Sequence, residues 1–451
     1  MPLYGLPEAI SHSQLPDWPK GVSSIPAVLP DGTQTEIPVL DGVNVLTTGV
    51  VGTGKTMSFT FPAAKAILAA IPTMKGVFFE IKRTFIDAFL QANDKVISYD
   101  LNAVAQENLF RPCLVKEIRQ AANPEAEMRQ IAEFLFSALL EDANQNLGWV
   151  QAARNTFIGV LRVIVECSEE NTSNRTLVNA LRQMTVEELL QYLARHPRNH
   201  SILRKDFGFE PNSAVGYEVT KRAGDILFFF NQVLESFAGA FETDGQDTLH
   251  DYLDGKYGRN LFFLYDLEQS AICRPHMLYY LKKLKDYKLS NRALSTEPML
   301  WVFDEIDKLA EGGRAADFGL FQAATLGRQY GLQILLTTQS VEHLFGLSTK
   351  FNEHVTVGGL SGFPIVLSFR PSDPTTIQSL QKLFGSDHHE HIVLPVSRHN
   401  PAEIKYELEP VVTDSEFASL STGECYVKIM SSPPQRVHIT VPEPLEVSHG
   451  I

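Results

Sequence analysis

The chain has 451 residues, and its 39 lysines and arginines against 53 acidic residues give a formal net charge of −14. This balance argues against a protein that coats nucleic acid with a broadly basic surface, although a motor can grip DNA in a narrow channel with few basic groups. The four cysteines are far apart without a CxxC pair, which excludes a disulfide scaffold and indicates reduced thiols in the cytoplasm. Every long apolar run is interrupted, which excludes a membrane-spanning protein. The length indicates two or three domains.

The first predicted elements are an N-terminal arm and a β-hairpin within residues 1–42. Residues 1–26 are rich in proline and small polar residues without a helical period, which fits either an extended arm or a disordered tail. Two short apolar runs then flank the sequence Leu29-Pro30-Asp31-Gly32, which has tight-turn chemistry. We therefore expect a hairpin over residues 27–40.

Residues 49–56, GVVGTGKT, have the spacing of a phosphate-binding loop, between an apolar strand at 43–46 and an alanine-rich helix that runs through Ala70. In such a loop, backbone N–H groups converge on a β-phosphate, the lysine reaches the β- and γ-phosphates, and the hydroxyl reaches Mg²⁺. A glycine-rich surface loop with a chance lysine is the alternative. The pattern predicts that ATP and Mg²⁺ bind here, with Thr56 as a metal ligand and with nucleotide contacts from Gly49, Gly52, Thr53, Gly54, Lys55, Thr56 and Met57.

Strand and helix patterns alternate on both sides of a long helical block. The predicted strands cover residues 76–81, 95–99, 261–265, 299–303, 333–338, 354–357 and 425–429. The alternation predicts an α/β fold with a mostly parallel sheet. Apolar residues at helical spacing predict an inserted all-α domain at 114–250, which divides the α/β domain into residues 43–113 and 251–451. The basic run at 282–288 indicates a solvated helix face rather than a nucleic-acid patch.

Two carboxylates end the apolar strand at 299–303. We expect Asp304 to hold Mg²⁺ and Glu305 to accept a proton from the water that attacks the γ-phosphate. Acids at a strand end also cap following helices, so a structural role is the alternative for both. Asp307 is interpreted as a charge at a helix N-terminus. With the phosphate loop upstream, the pair predicts hydrolysis rather than binding alone.

Two further side chains are candidates for catalysis. Gln339 follows the strand at 333–338, where its amide could contact both the γ-phosphate and the attacking water, the alternative being a simple strand terminus. Arg328 precedes that strand, and it is either an arginine finger that reaches the nucleotide of a neighbouring subunit or a surface cation at a helix end. The predicted catalytic set is therefore Lys55, Glu305, Gln339 and Arg328.

Several segments together resemble the type IV secretion coupling proteins, the ring-forming ATPases of bacterial conjugation within the FtsK/HerA class of RecA-like translocases. The resemblance covers roughly residues 43–430. It is carried by residues 54–62 (GKTMSFTFP), 108–112 (NLFRP), 149–154 (WVQAAR), 303–309 (FDEIDKL) and 328–340 (RQYGLQILLTTQS). At residues 79–83 the family usually has an Asp-Pro-Lys-Gly strand end, from which Glu80 and Ile81 depart.

The resemblance implies a RecA-like motor with an inserted all-α domain. It also implies that the chain assembles as a homo-oligomer, a hexameric ring, and that the ring moves single- or double-stranded DNA through a central channel. It also implies partners in a secretion channel or relaxosome. Family members generally begin with transmembrane helices, whereas this chain shows none, so a membrane link is expected only through partner proteins. The alternatives are an ATP-dependent recruitment platform for protein substrates of a secretion system, or a related DNA-processing or defence ATPase.

Overall fold

The strand that leads into the phosphate loop lies inside a sheet of eleven strands. The structure, a computed structural model, describes residues 18–142, 144–167, 169, 172–211, 213–241, 244–290, 297–309, 318–345, 359–371, 373–393 and 403–440. The strands are β1 Ser23–Val28, β2 Gln34–Val39, β3 Val45–Thr48, β4 Lys75–Glu80, β5 Lys95–Ile97, β6 Asn260–Leu264, β7 Met299–Asp304, β8 Leu332–Thr338, β9 Ile365–Ser368, β10 Ser386–Val393, β11 Glu403–Pro410, β12 Glu424–Ile429 and β13 Gln435–Ile439.

The order across the large sheet is β2-β1-β13-β12-β9-β3-β8-β7-β4-β6-β5. Every pairing from β9 to β5 is parallel, and the pairings from β9 to β2 are antiparallel. Strands β10 and β11 form a separate antiparallel pair. The prediction of an α/β fold with a mostly parallel sheet is thus confirmed, and four antiparallel strands extend it at one edge.

Both faces of the sheet are covered, which explains why its strands are almost continuously apolar. Side chains alternate along β7, so Trp301 and Phe303 enter one buried cluster while Leu300 and Val302 enter the other. The second cluster contains the helix that follows the phosphate loop, through Ala63 and Ile67 among others. The first cluster includes most of the helical block. Each functional loop is therefore anchored to a rigid, two-sided core.

The described α-helices are α1 Phe61–Ala70, α2 Thr84–Phe89, α3 Leu114–Gln120, α4 Pro124–Asp142, α5 Leu147–Cys167, α6 Asn174–Gln183, α7 Val186–Ala194, α8 His200–Ile202, α9 Tyr217–Phe241, α10 Leu249–Leu253, α11 Ser270–Ser290, α12 Leu320–Leu326, α13 Val341–Phe345, α14 Pro374–Phe384 and α15 Asp414–Ala418. Short π-helical segments cover Thr56–Thr60 and Leu203–Phe207, and 3₁₀ segments cover Asn144–Asn146, Pro197–Asn199, Ile306–Leu309 and Gly327–Tyr330. No described helix is long and apolar enough to cross a bilayer.

Only helices are described between β5 and β6, from α3 to α10. The two ends of this segment meet, because the N–H of Cys113 donates to the carbonyl of Asp247 at 2.9 Å and the N–H of Asp247 donates to the carbonyl of Arg111 at 2.9 Å. Such closely spaced ends are what an insertion into another domain requires. The domain boundaries at 113/114 and 250/251 stay a prediction.

The predicted hairpin forms, but it begins earlier than expected. Strand β1 starts at Ser23 and pairs with β2 on one side and with β13 on the other. Residues 23–26 are therefore sheet residues and not part of an arm, because backbone pairing to β2 outweighs their weak local pattern. Residues 1–17 and the predicted strand at 354–357 lie outside the described residues.

The basic run on α11 is not a solvated face, and that interpretation was wrong for Lys283, Lys285 and Lys288, all of which are buried. Lys283 Nζ lies 2.6 Å from Glu117 Oε1 and 2.8 Å from Glu127 Oε1. Lys283 follows β6, whereas both glutamates belong to the helical block. A buried ion-paired cluster therefore ties α11 to α3 and α4.

Lys283→Met should lower the free energy of unfolding by about 3–5 kcal/mol, because it leaves two buried carboxylates without their cation. The matched control is Lys282→Met, since Lys282 pairs with Asp286 where the two side chains are 29% and 42% exposed, and a partly exposed pair contributes less than about 1 kcal/mol. Urea unfolding followed by circular dichroism measures both. Equal losses in the two variants would contradict the buried cluster's role.

Candidate functional site

The phosphate loop follows β3 and leads into the π-helical turn Thr56–Thr60 and α1. Gly49 has a φ of 146°, and a Cβ there would lie 2.7 Å from Cβ of Phe369, so only glycine fits beside β9. Gly54 has a φ of 94°, in the region that favours glycine. Gly52 is exposed at the loop tip, Thr53 is buried, and Met57 is half-buried in the first turn.

Lys55 is buried under the loop. Its Nζ donates to the carbonyl of Gly49 at 2.6 Å and to that of Val50 at 2.8 Å. Burial lowers the pKa of this ammonium, and the carboxylates of Asp304 and Glu305 act in the opposite direction. The lysine is therefore a cation held at the centre of a loop built to receive anionic oxygens.

Thr56 and Asp304 meet across the sheet, with Thr56 Oγ1 donating to Asp304 Oδ1 at 2.8 Å. Asp304 ends β7 and is buried. Burial raises the pKa of Asp304 to about 6, against the lowering effect of the Thr56 hydrogen bond. A hydroxyl and a carboxylate at this separation form the oxygen donor set that Mg²⁺ uses beside phosphates, so these residues fit the ion. Among the described residues, no cluster of three or more His, Cys, Asp or Glu side chains could hold a metal by itself.

Glu305 projects from the same strand end in an unusual backbone conformation, with a φ of 57°. Its N–H donates to the carbonyl of Thr337 at 3.1 Å, which extends the pairing of β7 with β8 one residue further. Its Oε1 lies 3.2 Å from Nζ of Lys82. A left-handed conformation at a non-glycine residue is costly and is typical of functional positions.

Sequence reasoning missed two cations at this edge of the sheet. Lys82 lies two residues beyond β4 and contacts Glu305, and the resemblance at residues 79–83 was the signal that could have identified it. Arg370 lies two residues beyond β9, and its carbonyl accepts a hydrogen bond from the N–H of Val50 at 2.8 Å. Its position after a parallel strand next to β3 was the available signal.

Glu80 explains one departure from the family pattern. Its carboxylate accepts hydrogen bonds from the N–H groups of Phe85 and Ile86, each at 2.8 Å, and so caps the start of α2. The side chain is fully buried, and burial raises the pKa of Glu80 to about 7 although both hydrogen bonds lower it. Glu80 is therefore a structural acid next to the site.

Gln339 and Arg328 lie near opposite ends of strand β8, Gln339 after its last residue and Arg328 before its first. Thr338 pairs with Thr48, so Gln339 leaves β8 beside the phosphate loop, and it is half-buried. Arg328 is exposed in the 3₁₀ segment before β8. Because β8 has seven residues, Arg328 lies roughly 20 Å along the strand direction from the loop. The site of its own chain is therefore out of its reach.

Asp307 lies in the first turn of the 3₁₀ segment Ile306–Leu309, near the position expected for a helix N-terminal charge. It is completely buried, however, and burial raises the pKa of its carboxyl group. His343 Nδ1 lies 3.7 Å from Asp307 Oδ2. Asp307 is thus a buried acid behind the strand ends, and its negative charge opposes the lowering of the Lys55 pKa by burial.

The strand ends of β3, β7, β8 and β4 bring together the loop, Asp304, Glu305, Gln339 and Lys82. This edge combines backbone N–H donors, a buried lysine, a metal-binding oxygen pair and an acid that could accept a proton. Such a set can bind a nucleoside triphosphate and promote attack of water on its terminal phosphate. The roles of the individual residues stay predictions.

Comparison with known proteins identifies the family and the fold of the chain. Residues 37–441 match the family model described as the type IV secretion-system coupling protein DNA-binding domain. The bacterial conjugative coupling protein TrwBdeltaN70 in its unbound form aligns over 89% of this chain and 86% of its own, with 16% identity and a TM-score of 0.64. The plasmid coupling protein TrwB in complex with ADP and Mg²⁺ aligns over 90% and 88%, with 16% identity and a TM-score of 0.63.

VirB4 of Thermoanaerobacter pseudethanolicus aligns over 96% of this chain and 99% of its own, with 12% identity and a TM-score of 0.53. A search of curated protein sequences gives no significant match. At these identities the solved structures establish the fold, a RecA-like α/β fold with a phosphate loop. They confirm the predicted fold class.

Glu80→Gln should remove one titration from the stability profile. The pKa of Glu80 in the folded chain is about 7, above its ordinary value of 4.5. Between these two pH values the folded chain binds more protons than the unfolded chain, so the free energy of unfolding of the wild type falls as pH rises through 7. Glutamine does not titrate, so the free energy of unfolding of the variant, measured relative to wild type, should rise by on the order of 2–3 kcal/mol between pH 5 and pH 8. Urea unfolding at a series of pH values measures this difference. Parallel pH profiles for the two proteins would contradict the assignment.

Proposed function

The chain belongs to the type IV secretion-system coupling protein DNA-binding domain family, and from that premise we propose that it is an ATP-hydrolysing ring motor. It translocates DNA, or couples a DNA or nucleoprotein substrate to a type IV secretion or conjugation channel. The observation that carries the ATPase assignment is the 2.8 Å contact between Thr56 Oγ1 and Asp304 Oδ1, with Glu305 next in the chain. The phosphate loop and the carboxylates of Asp304 and Glu305 lie together, as the chemistry of a phosphate-loop hydrolase requires.

The residues at the carboxyl ends of β3, β7 and β8 have separate roles in hydrolysis. Lys55 and the loop N–H groups bind the phosphates, and Thr56 with Asp304 would hold Mg²⁺, which supplies charge neutralisation at the phosphate oxygens. Glu305 takes a proton from the attacking water. Gln339 leaves β8 beside the loop and orients that water against the terminal phosphate.

A neighbouring subunit completes the site. Arg328 is exposed at the sheet edge opposite its own loop, so it can act as an arginine finger only in a second copy of the chain. A closed ring of identical subunits presents such a residue to every site, and a hexamer is the proposed form. Secretion-channel or relaxosome proteins would hold the ring at the inner membrane.

ATP hydrolysis by the full chain should rise when single- or double-stranded DNA is added, and the active form should be a multimer. A coupled-enzyme ATPase assay with and without each DNA, together with the mass measured by light scattering, tests this expectation. A monomer whose hydrolysis ignores DNA would contradict the proposal.

Two variants assign the chemistry within that assay. Glu305→Gln should bind ATP with near-normal affinity but lose about 10²–10⁴-fold in turnover, because the proton acceptor is removed while the phosphate contacts remain. Lys55→Ala should lose ATP binding itself and serves as the reference for a dead site. Turnover retained in Glu305→Gln would remove Glu305 from the base role.

A further inference from the structure

Lys82 lies in the short turn between β4 and α2, next to the strand end that carries Glu305. Phe79 of β4 pairs with Phe303 of β7 in parallel register, so the chain leaves the two strands side by side. The Nζ of Lys82 lies 3.2 Å from Oε1 of Glu305. The proposed ATPase mechanism leaves this lysine without a role, although it contacts the residue that accepts the proton.

The turn that carries Lys82 is held on both sides. Before it, the buried carboxylate of Glu80 accepts hydrogen bonds from two N–H groups of α2, each at 2.8 Å. After it, Arg83 has a φ of 61°, and its Nη2 lies 3.1 Å from Oδ1 of Asp87. The backbone of Lys82 is therefore fixed between a helix cap and an ion pair.

Unfavourable backbone conformations are concentrated at this contact. In the part of the chain that the structure describes, four non-glycine residues have a positive φ, and Arg83 and Glu305 are two of them. One is the neighbour of Lys82 in the chain and the other is its ionic partner. Because left-handed residues of this kind are costly and cluster at active sites, their position indicates a functional role for the contact.

The ion pair is suited to orient a carboxylate rather than to stabilise the fold. The side chain of Lys82 is 60% exposed, whereas that of Glu305 is 13% exposed. An ion pair with one partner largely in solvent contributes little to the free energy of unfolding. The charged donor nevertheless favours a single orientation of the Glu305 carboxylate, because a charge-assisted hydrogen bond is stronger than a neutral one.

The contact engages one oxygen of the Glu305 carboxylate and leaves the other for proton transfer. Lys82 donates to Oε1, and no hydrogen bond between described residues occupies Oε2. Lys55 donates from its Nζ to the carbonyls of Gly49 and Val50 instead. Lys82 is therefore the lysine placed to orient Glu305, and Oε2 is the atom placed to accept a proton from water.

We infer that Lys82 is a positioning residue of the ATPase site, which holds the Glu305 carboxylate in the orientation that accepts a proton from the attacking water. The inference rests on the proposed function, since Glu305 has this role only if the site hydrolyses ATP. Lys82 acts through Glu305 and makes no contact of its own with the nucleotide. It therefore contributes to the rate of hydrolysis and not to the affinity for ATP.

The test compares Lys82→Met and Lys82→Arg with the wild type in steady-state ATP hydrolysis by the full chain. Lys82→Met should lower kcat by about 10- to 100-fold, because misplacement of a catalytic group by about 1 Å can cost about 10²-fold. The KM for ATP should change by less than about twofold, since the lost interaction matters only in the transition state. Lys82→Arg should restore most of the rate, because a guanidinium group can donate to the same oxygen.

The matched control is Lys65→Met, which removes an exposed lysine from α1 and should leave both kcat and KM unchanged. The midpoint of urea unfolding should be the same in the wild type and all three variants, which separates a lost orientation from a lost fold. A fall in kcat in Lys65→Met as large as that in Lys82→Met would overturn the inference.

A second comparison shows whether Lys82 acts through Glu305. Single-turnover hydrolysis of ATP is measured for Glu305→Gln with and without Lys82→Met. The second substitution should have little further effect, because the losses from two residues in one interaction do not add. A further loss as large as that in the wild-type background would overturn the inference. A raised KM with an unchanged kcat would do so too, since Lys82 would then be a phosphate ligand.

These measurements separate failure of the inference from failure of the proposed function. If the wild type hydrolyses no ATP, the proposed function fails and the inference fails with it. If the wild type hydrolyses ATP and Lys82→Met has the same kcat, only the inference fails.

Discussion

The parallel register of β3, β8 and β7 is the constraint on which the site depends. Thr48 pairs with Thr338 and Asp304 pairs with Thr337, so the loop, Gln339 and the two carboxylates leave the sheet side by side although they are far apart in sequence. Thr56 and Asp304 consequently meet at 2.8 Å. The helical block is accommodated between β5 and β6 without disturbing this register.

Charge within the site is balanced in a way that suits a phosphorylated ligand. Lys55 and Lys82 face Asp304 and Glu305, with Lys55 and Asp304 both buried. Burial disfavours both charges, lowering the pKa of Lys55 and raising that of Asp304. A ligand that brings anionic oxygens and a divalent cation would supply each group with an opposite charge. Such a ligand would offset the free-energy cost of burying the two groups, which makes the site specific for it.

The local patterns of the sequence were enough to predict the loop between its strand and helix, the strand that ends at Asp304, and the α/β class. These features depend on short apolar runs and on spacing within one element. The contacts that were not predicted join distant elements. Lys82 meets Glu305 because β4 lies next to β7, and Lys283 is buried because two glutamates of the helical block face α11. Periodicity assigns a charged residue to solvent and contains no information on sheet order or on a partner more than a hundred positions away.

The sheet places Arg328 about 20 Å from its own phosphate loop. The proposed role of Arg328 in catalysis therefore requires a second subunit to complete each site. The most direct test mixes Arg328→Ala and Glu305→Gln chains in equal amounts and measures DNA-stimulated ATP hydrolysis. Neither variant alone should turn over ATP at a significant rate, whereas the mixture should recover up to about a quarter of the wild-type rate, because some sites combine an intact Glu305 with a neighbour's intact Arg328. A mixture no more active than its components would contradict the shared site.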